Sequence, residues 1–430
     1  MAAIQVRPNP TLFDEDVHIT VTGVPSGRAL TLRATAQDEL GRTWTSWARF
    51  TADRDEVDPA RQAPEAGTYT GVDPNGLFWS MVLEPDAVPS PFAMTSSDPL
   101  TVHLEAEPEG ESPVHADLER LVLLPGVTRS VVREGSLRGT VFAPAAGGRR
   151  PAVIVWGGSG GGLSETKAGL LASHGYATLA LAYFLFDDLP EDLVEIPLEY
   201  FHNAIGWMQA RPFVDPDRIA VMGSSRGGEL ALLLGSTYPE IRAVVGVVPS
   251  SVVWSGIGHD PEMFGRAAWT LGGNPIDFMG SGRDAPPEDE RPTSSEPFAL
   301  TPGFRAALQD HAEVERTSIP VEKINGPVLL LSGEEDAMWP SSEMAEMVVT
   351  RLLEHRHQHQ VRHLRAEGAG HWIQHPHLPT TVNHSRHPLD GVDFDYGGEP
   401  AAQARGQAAA WNGVLAFLAD AFGSPEPGVP

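Results

Sequence analysis

The chain has 430 residues, a formal net charge of −27 and no cysteine. This length suggests two or three domains, and the absence of cysteine excludes disulfides, thiolate metal sites and a cysteine nucleophile. So negative a field disfavours nucleic acid and anionic membranes as partners, no apolar run is long enough to predict membrane insertion, and the N-terminal residues do not resemble a signal peptide, so we expect a cytoplasmic protein.

Residues 1–125 are predicted to form a β-structure. The runs at 17–22, 29–35 and 100–104 alternate apolar and polar side chains, which is the period of a half-buried strand. Clusters of glycine, proline and aspartate separate these runs. Short alternating strands with turn signals between them are typical of a β-sandwich. The polar stretch at 105–113 is expected to end this pattern or to form a loop.

Strands and helices alternate in the remainder of the chain, residues 126–430. Apolar strands are predicted at 151–156, 176–182, 218–222 and 327–331, and helices at 163–174, 198–211 and 401–421. Because these strands are apolar on both faces, the pattern predicts a mostly parallel sheet covered by helices. Residues 255–319 interrupt the alternation and are interpreted as a cap over the sheet. The alternative interpretation is an insertion without regular structure.

A Gly-Ser-Ser-Arg-Gly sequence at 223–227 follows an apolar strand and begins a helix. It matches G-x-S-x-G, the strand-turn-helix motif of α/β-hydrolases, in which the central serine lies on a strained turn. Ser225 is therefore the predicted nucleophile. Ser224 is the alternative, but the glycine spacing favours Ser225. The competing interpretation of the whole motif is a glycine-softened turn with an ordinary serine.

A second glycine-rich loop, residues 157–162, follows the strand that ends at Trp156. In this fold such a loop supplies one backbone N–H of an oxyanion hole, and the residue after the nucleophile supplies the other. The predicted donors are the segment Gly158–Ser159 and Arg226. A phosphate-binding loop is the rival interpretation, but no Gly-Lys-Ser/Thr follows. A plain flexible turn is the other alternative.

An acid and a base are expected after the nucleophile, in the chain order Ser, Asp, His. Asp336 follows the predicted strand at 327–331 and lies on a tight turn before the next helix, which makes it the favoured acid, with Glu335 as the runner-up. His371 lies on a glycine-rich loop after a further strand. Its imidazole would accept the serine proton and return it to the leaving group.

Four histidines between residues 355 and 363 form a cluster that could bind a metal ion. No carboxylate or cysteine joins them at a recognised ligand spacing. We therefore favour an exposed helix end and strand face, and we predict neither a metal nor an organic cofactor.

With these residues placed, nearly the whole chain resembles the acyl-CoA thioesterase and bile acid-CoA:amino acid N-acyltransferase family. The segments that carry the resemblance lie at 17–23, 76–79, 139–144, 158–163, 198–201, 227–230 and 397–400. The resemblance implies an α/β-hydrolase domain preceded by an immunoglobulin-like sandwich. It also implies hydrolysis, because family members that hydrolyse thioesters carry a serine nucleophile and those that transfer the acyl group carry cysteine.

The function that the resemblance implies is cleavage of acyl-CoA to a free acid and CoA through an acyl-enzyme on Ser225. One alternative keeps the three residues but changes the chemistry, to an acyltransferase, esterase or lactonase that acts on another or a carrier-bound acyl substrate. A second alternative is a non-catalytic binding protein whose sandwich is an interaction module. So acidic a chain repels coenzyme A at long range; a local arginine patch could overcome this repulsion, but the sequence shows no such patch.

Overall fold

The computed structural model describes residues 1–145, 147–280, 297–389 and 391–423. Residues 281–296, which belong to the predicted cap at 255–319, lie outside the described residues. Within the described ranges, no helix has the length and apolar character that a membrane span requires.

The N-terminal part is an all-β structure, as the sequence predicts. Its elements are β1 (Ala3–Arg7), β2 (Thr11–Leu12), β3 (His18–Thr22), β4 (Ala29–Gln37), β5 (Thr43–Thr51), β6 (Glu56–Val57), β7 (Ala66–Gly67), α1 (Gly76–Trp79), β8 (Val82–Leu83), β9 (Leu100–Pro108) and β10 (Val114–Leu121). One sheet has the order β1-β3-β6 and the other β2-β10-β9-β4-β5-β7, with β8 on β5. The inward side chains, such as Val21, Leu32, Trp44 and Phe50, are fully buried in one cluster.

The prediction that residues 105–113 end the β pattern was wrong for their first half. Strand β9 continues to Pro108 and pairs with β4 on one side and β10 on the other. The acidic side chains point outwards while Ala106 and Pro108 are buried, so the period of two persists through the polar run. The strands on both sides of β9 satisfy the hydrogen bonds of its backbone. The acidic composition of this run does not reveal that pairing.

The C-terminal part alternates strands and helices. Its elements are β11 (Val127–Glu134), β12 (Leu137–Pro144), β13 (Arg150–Trp156), α2 (Thr166–Ser173), β14 (Ala177–Ala182), β15 (Ile196–Pro197), α3 (Leu198–Gln209), β16 (Val214–Ser224), α4 (Arg226–Thr237), β17 (Ile241–Val247), β18 (Trp269–Leu271), β19 (Asn274–Pro275), α5 (Thr301–Ala307), α6 (His311–Thr317), β20 (Val328–Gly333), α7 (Ser341–Glu354), β21 (Val361–Ala366), β22 (His384–Arg386), β23 (Asp393–Asp395) and α8 (Pro400–Phe422), with 3₁₀ turns at Pro261–Gly265 and Val321–Lys323.

The central sheet has the strand order β11-β12-β14-β13-β16-β17-β20-β21. Strands β11 and β12 pair antiparallel, and every pairing from β14 to β21 is parallel. This confirms the predicted α/β-hydrolase fold. Because parallel strands end at the same edge of a sheet, the loops after β13, β16, β20 and β21 all lie at that edge, where ligands bind in open α/β sheets.

Candidate active site

The turn between β16 and α4 is held in a conformation that side chains rarely adopt. Ser225 has φ 58° and ψ −122°, a strained backbone typical of functional sites. A Cβ at Gly223 would lie 2.0 Å from the Gly227 carbonyl oxygen, and a Cβ at Gly227 would lie 2.2 Å from that of Gly157. Both glycines are therefore required sterically, and the turn presents the Ser225 hydroxyl at the edge of the sheet.

Ser225, His371 and Asp336 form one continuous hydrogen-bonded series. The Ser225 Oγ lies 2.9 Å from His371 Nε2, and His371 Nδ1 lies 2.8 Å from Asp336 Oδ2. The imidazole tautomer with its proton on Nδ1 satisfies both contacts, because it donates to the carboxylate and accepts from the hydroxyl. These distances fall within the range expected for a nucleophile, its base and the group that orients the base.

The carboxylate of Asp336 is buried and fixed from its second oxygen. Asp336 Oδ1 accepts hydrogen bonds from the backbone N–H groups of Met338 (2.9 Å) and Trp339 (3.2 Å). Glu335, the runner-up acid, is exposed to solvent. The turn after β20 therefore directs only the last of its three consecutive acids towards His371.

The glycine-rich loop after β13 lies directly against the nucleophile. A Cβ at Gly158 would lie 2.7 Å from the Ser224 carbonyl oxygen and 2.9 Å from the Ser225 Cβ. The Tyr183 hydroxyl lies 3.2 Å from the carbonyl oxygens of Gly157 and Gly158, to which it donates. On the other side of Ser225, the backbone N–H of Arg226 begins α4 and has no acceptor within the helix. The predicted donor segments thus flank the serine hydroxyl.

A histidine that sequence reasoning did not select holds this loop in place. His387 Nε2 lies 3.0 Å from Ser159 Oγ, and both side chains are buried. His387 belongs to the segment between β22 and β23, which follows His371 in the chain. Because the nearest motif is distant in sequence, no spacing rule could have identified this contact.

The side chain of Arg226 points away from the hydroxyl and into the protein. Its Nη2 lies 3.2 Å from Glu229 Oε1 and donates to the Trp254 carbonyl oxygen at 2.9 Å. Burial raises the pKa of Glu229 to about 7 and lowers the pKa of Arg226. We expect the ion pair to persist, because the guanidinium would otherwise be a buried charge without a counter-ion. It anchors the start of α4 under the nucleophile.

The described residues of the 255–319 insertion pack over the nucleophile. An aromatic series leads from Trp254 through Phe304 and Trp339 to the His371 ring, with centroid distances of 4.7, 5.9 and 5.8 Å. A cavity of ≈ 20 Å³ remains between Ser225 and these side chains. Four described residues of the insertion line this cavity: Ser255, Ile257, Leu300 and Phe304.

Two family models match this chain. Residues 196–424 match the model described as "BAAT / Acyl-CoA thioester hydrolase C terminal", and residues 14–134 match "Acyl-CoA thioester hydrolase/BAAT N-terminal region". The chain belongs to the acyl-CoA thioester hydrolase/BAAT family. Within this family, the C-terminal match contains Ser225, Asp336 and His371, whereas Gly158 and Ser159 lie between the two matched segments.

Three mouse members of the family illustrate how far the similarity extends. "Acyl-coenzyme A thioesterase 1" is 33% identical over 98% of this chain and 97% of its own length. "Peroxisomal succinyl-coenzyme A thioesterase" is 33% identical over the same shares. "Acyl-coenzyme A thioesterase 2, mitochondrial" is 32% identical over 98% of this chain and 90% of its own length.

In this family member, a larger cavity at the nucleophile has walls from both parts of the chain. It has a volume of ≈ 390 Å³, and its lining includes residues 90–95 of the N-terminal part, Lys167, Ser225 and His371. The segment at 90–95 is attached to α2, since the Thr166 hydroxyl lies 3.0 Å from the Met94 carbonyl oxygen, to which it donates. The sandwich thus contributes directly to the site, which the sequence did not predict.

The cavity contains no arginine among its described lining residues. Lys167 is the one lysine among the described residues of the cavity wall, and the scarcity of lysine is visible in the sequence. Lys167 and Lys323 are the only lysines of the chain, and Lys167 follows the glycine-rich loop by five residues. Scarcity alone, however, carries no information about burial.

The histidine cluster at 355–363 has ordinary partners. His357 Nε2 lies 3.0 Å from the Gly326 carbonyl oxygen, and His363 Nε2 lies 2.7 Å from Ser332 Oγ. The described ranges contain no group of three or more histidine, aspartate or glutamate side chains that could hold a metal ion. His355 and His359 are exposed, as the favoured interpretation expects. The side chain of His363 is only 7% exposed, so the expected exposed strand face was wrong for this residue.

Proposed function

We propose that the chain is a serine hydrolase that cleaves acyl-CoA thioesters to a free acid and CoA. The observation that carries the proposal is the hydrogen-bonded series Ser225–His371–Asp336 at the wall of a ≈ 390 Å³ cavity, in a chain whose full-length relatives are named acyl-CoA thioesterases. Two separate observations, the strained serine and the buried carboxylate, support a catalytic use of these residues rather than a binding role.

In the proposed acylation step, Ser225 Oγ attacks the thioester carbonyl carbon while His371 Nε2 takes the hydroxyl proton. The carbonyl oxygen becomes an oxyanion, which the N–H of Arg226 and the Gly158–Ser159 segment would stabilise. When the intermediate collapses, the carbon–sulfur bond breaks and His371 gives its proton to the departing thiolate. Asp336 stabilises the imidazolium and fixes its orientation.

In the proposed deacylation step, a water molecule gives a proton to His371 and attacks the acyl carbon. Collapse of the second oxyanion breaks the bond to Ser225 Oγ, and the proton on His371 returns to that oxygen. The products are the carboxylic acid and the original serine. Acylation and deacylation both use side chains and backbone groups of this chain, so the proposed reaction requires no added cofactor.

Replacement of Gly158 by alanine tests the proposed oxyanion segment. The new methyl group would approach the Ser225 Cβ to 2.9 Å and displace the loop. We expect kcat to fall about 10²–10³-fold, the effect of losing one oxyanion donor, as measured by thiol release. Gly160→Ala is the matched control, because a Cβ there meets nothing within 4 Å. Equal activity of the two variants would remove Gly158 from the proposed hole.

The function itself is tested by thiol release from a panel of short, medium and long acyl-CoA esters. Release that depends on Ser225 supports the hydrolase, and the rates give the chain-length preference. Formation of N-acyl product when amines are added would support the transferase alternative. Labelling by a fluorophosphonate without any release would instead indicate another ester or a carrier-bound acyl substrate.

We also propose a division of the chain near residue 125 into the sandwich, 1–125, and the catalytic part, 126–430. The strands of the two N-terminal sheets lie within 3–121, and those of the central sheet begin at Val127, which supports this boundary. The proposed location is the cytoplasm, on the basis of the cysteine-free composition. Fractionation of the host cell tests the location.

A further inference from the structure

Lys167 is a buried ammonium group beside the proposed nucleophile. It lies in the first turn of α2, is only 8% exposed and lines the ≈ 390 Å³ cavity. Its Nζ lies 3.1 Å from Ser224 Oγ, to which it donates. Ser224 directly precedes Ser225 in the chain, and Lys167 and Ser225 both line this cavity.

No carboxylate neutralises this ammonium within the part of the chain that the structure describes. The cavity lining there contains no aspartate or glutamate. The nearest acid in the sequence, Glu165, is engaged elsewhere, since it accepts hydrogen bonds from Arg129, Thr140 and Ser97. An ammonium has three donor hydrogens, and one of those on Lys167 has a protein acceptor.

The state of charge of Lys167 follows from its burial. Desolvation lowers the pKa of Lys167 to about 8, so it is still mostly cationic at neutral pH. His375, which also lines the cavity, has a pKa lowered to about 4, by burial first and then by the Lys167 charge. It is therefore neutral. A buried charge without a partner destabilises the folded state, and such a cost is typical of a site kept for function.

We propose that Lys167 binds an anionic oxygen of the substrate, and that this oxygen belongs to a carboxylate on the acyl chain. This inference rests on the proposed function and specifies its substrate class as short dicarboxylic acyl thioesters. The competing source of the same chemistry is a phosphate of the thiol carrier. The position next to Ser224 favours the acyl carboxylate, because the pantetheine arm separates the phosphates of CoA from the reacting carbon.

The primary test compares succinyl-CoA with butyryl-CoA, which has the same chain length but no terminal carboxylate. For Lys167→Met we expect the ratio of kcat/KM for succinyl-CoA to kcat/KM for butyryl-CoA to fall about 10–100-fold, the effect of losing a hydrogen bond to a charged group. Lys323→Met is the matched control, since Lys323 is exposed and remote. Equal rates of the wild type and Lys167→Met on both esters would overturn the proposal.

A second pair of substrates identifies the source of the anion. Succinyl and butyryl thioesters of N-acetylcysteamine lack the CoA phosphates. An effect of Lys167→Met on the succinyl ester of both thiols supports the acyl carboxylate. Equal loss on both CoA esters, with neither N-acetylcysteamine ester affected, would overturn the carboxylate assignment and transfer the site to the carrier phosphate.

The effect of pH provides an independent readout. Lys167 is cationic below its pKa of about 8 and neutral above it, so the preference for succinyl- over butyryl-CoA is expected at pH 7 and should decrease between pH 8 and 10. The facing groups are Ser224 on β16, His375 on the loop after β21 and the proposed base His371. His375 stays neutral in this pH range. Any effect of His371 on the chemical step applies to both substrates and cancels in the ratio of their kcat/KM values. A ratio that stays constant to pH 10 contradicts the proposal.

Thermal unfolding separates failure of this inference from failure of the proposed function. Removal of the unpaired charge is expected to raise the Tm of Lys167→Met above that of the wild type. Succinate should raise the Tm of the wild type more than the uncharged butyramide does, and this difference should vanish in Lys167→Met. If the wild type hydrolyses no CoA ester, the proposed function fails, while the succinate-dependent shift still tests the anion site. No such shift would overturn it.

Discussion

Alanine in place of Ser225 is expected to abolish thioester hydrolysis and labelling by a fluorophosphonate together. The variant removes the only atom that the proposed mechanism uses to form the acyl-enzyme, so kcat should fall about 10⁶-fold, as for serine hydrolases that lose their nucleophile. The fold should be retained, because the small side chain still fits the strained turn between Gly223 and Gly227. Thiol release and mass spectrometry of the labelled protein measure the two effects, and thermal unfolding verifies the fold.

Ser332→Ala is an informative control for this experiment. Ser332 also contacts a histidine, with its Oγ 2.7 Å from His363 Nε2, and that histidine is 3.4 Å from Glu346. Ser332 is completely buried, however, and its strand, β20, has no strained turn. We expect this variant to be labelled like the wild type. If label persists in Ser225→Ala instead, the nucleophile is not Ser225, and Ser224 becomes the candidate.

Asparagine in place of Asp336 is expected to reduce kcat about 10⁴-fold with little change in the fold. The oxygen of the amide would keep the hydrogen bonds from the Met338 and Trp339 N–H groups, which leaves the amide NH₂ facing His371 Nδ1. The imidazole would then carry its proton on Nε2. In that tautomer it cannot accept the proton of Ser225. Steady-state thiol release across a pH series measures the loss.

The matched control is Glu335→Gln, which changes the charge in the same way one residue earlier. Because Glu335 is exposed, we expect activity close to that of the wild type. Comparable losses in both variants would show that the charge of the turn matters and not the contact with His371. A large loss only in Glu335→Gln would restore the runner-up acid.

The sequence was informative where local geometry forces a residue type. At 223 and 227 any side chain would overlap a backbone carbonyl, so the strained serine turn leaves a glycine signature that can be recognised without coordinates. The apolar strands of the parallel sheet were equally clear, because burial on both faces requires continuous apolar runs. Fold class and the order of Ser225, Asp336 and His371 in the chain followed from these local constraints.

Contacts between distant segments left no comparable signature. Three contacts join residues that are far apart in the chain. They are the pairing that extends β9 through acidic residues, the attachment of segment 90–95 to α2, and the contact of His387 with Ser159. Many residue types could satisfy such contacts, so their sequences are not distinctive. The predicted tight turn favours Asp336 over Glu335 as the acid. Only the tertiary structure shows that Asp336 is buried against His371 and that Glu335 is exposed to solvent.

The sequence by itself therefore determined the fold class and the strained serine turn, because both rest on steric and hydrophobic constraints that act within a few residues. The family followed from the resemblance of segments along nearly the whole chain. The tertiary structure decided which groups enclose the substrate cavity and what charge it presents. An overall charge of −27 predicts repulsion of anions, yet the described cavity wall contains a lysine and no carboxylate. Burial and long-range packing set this local field, and neither can be obtained from composition.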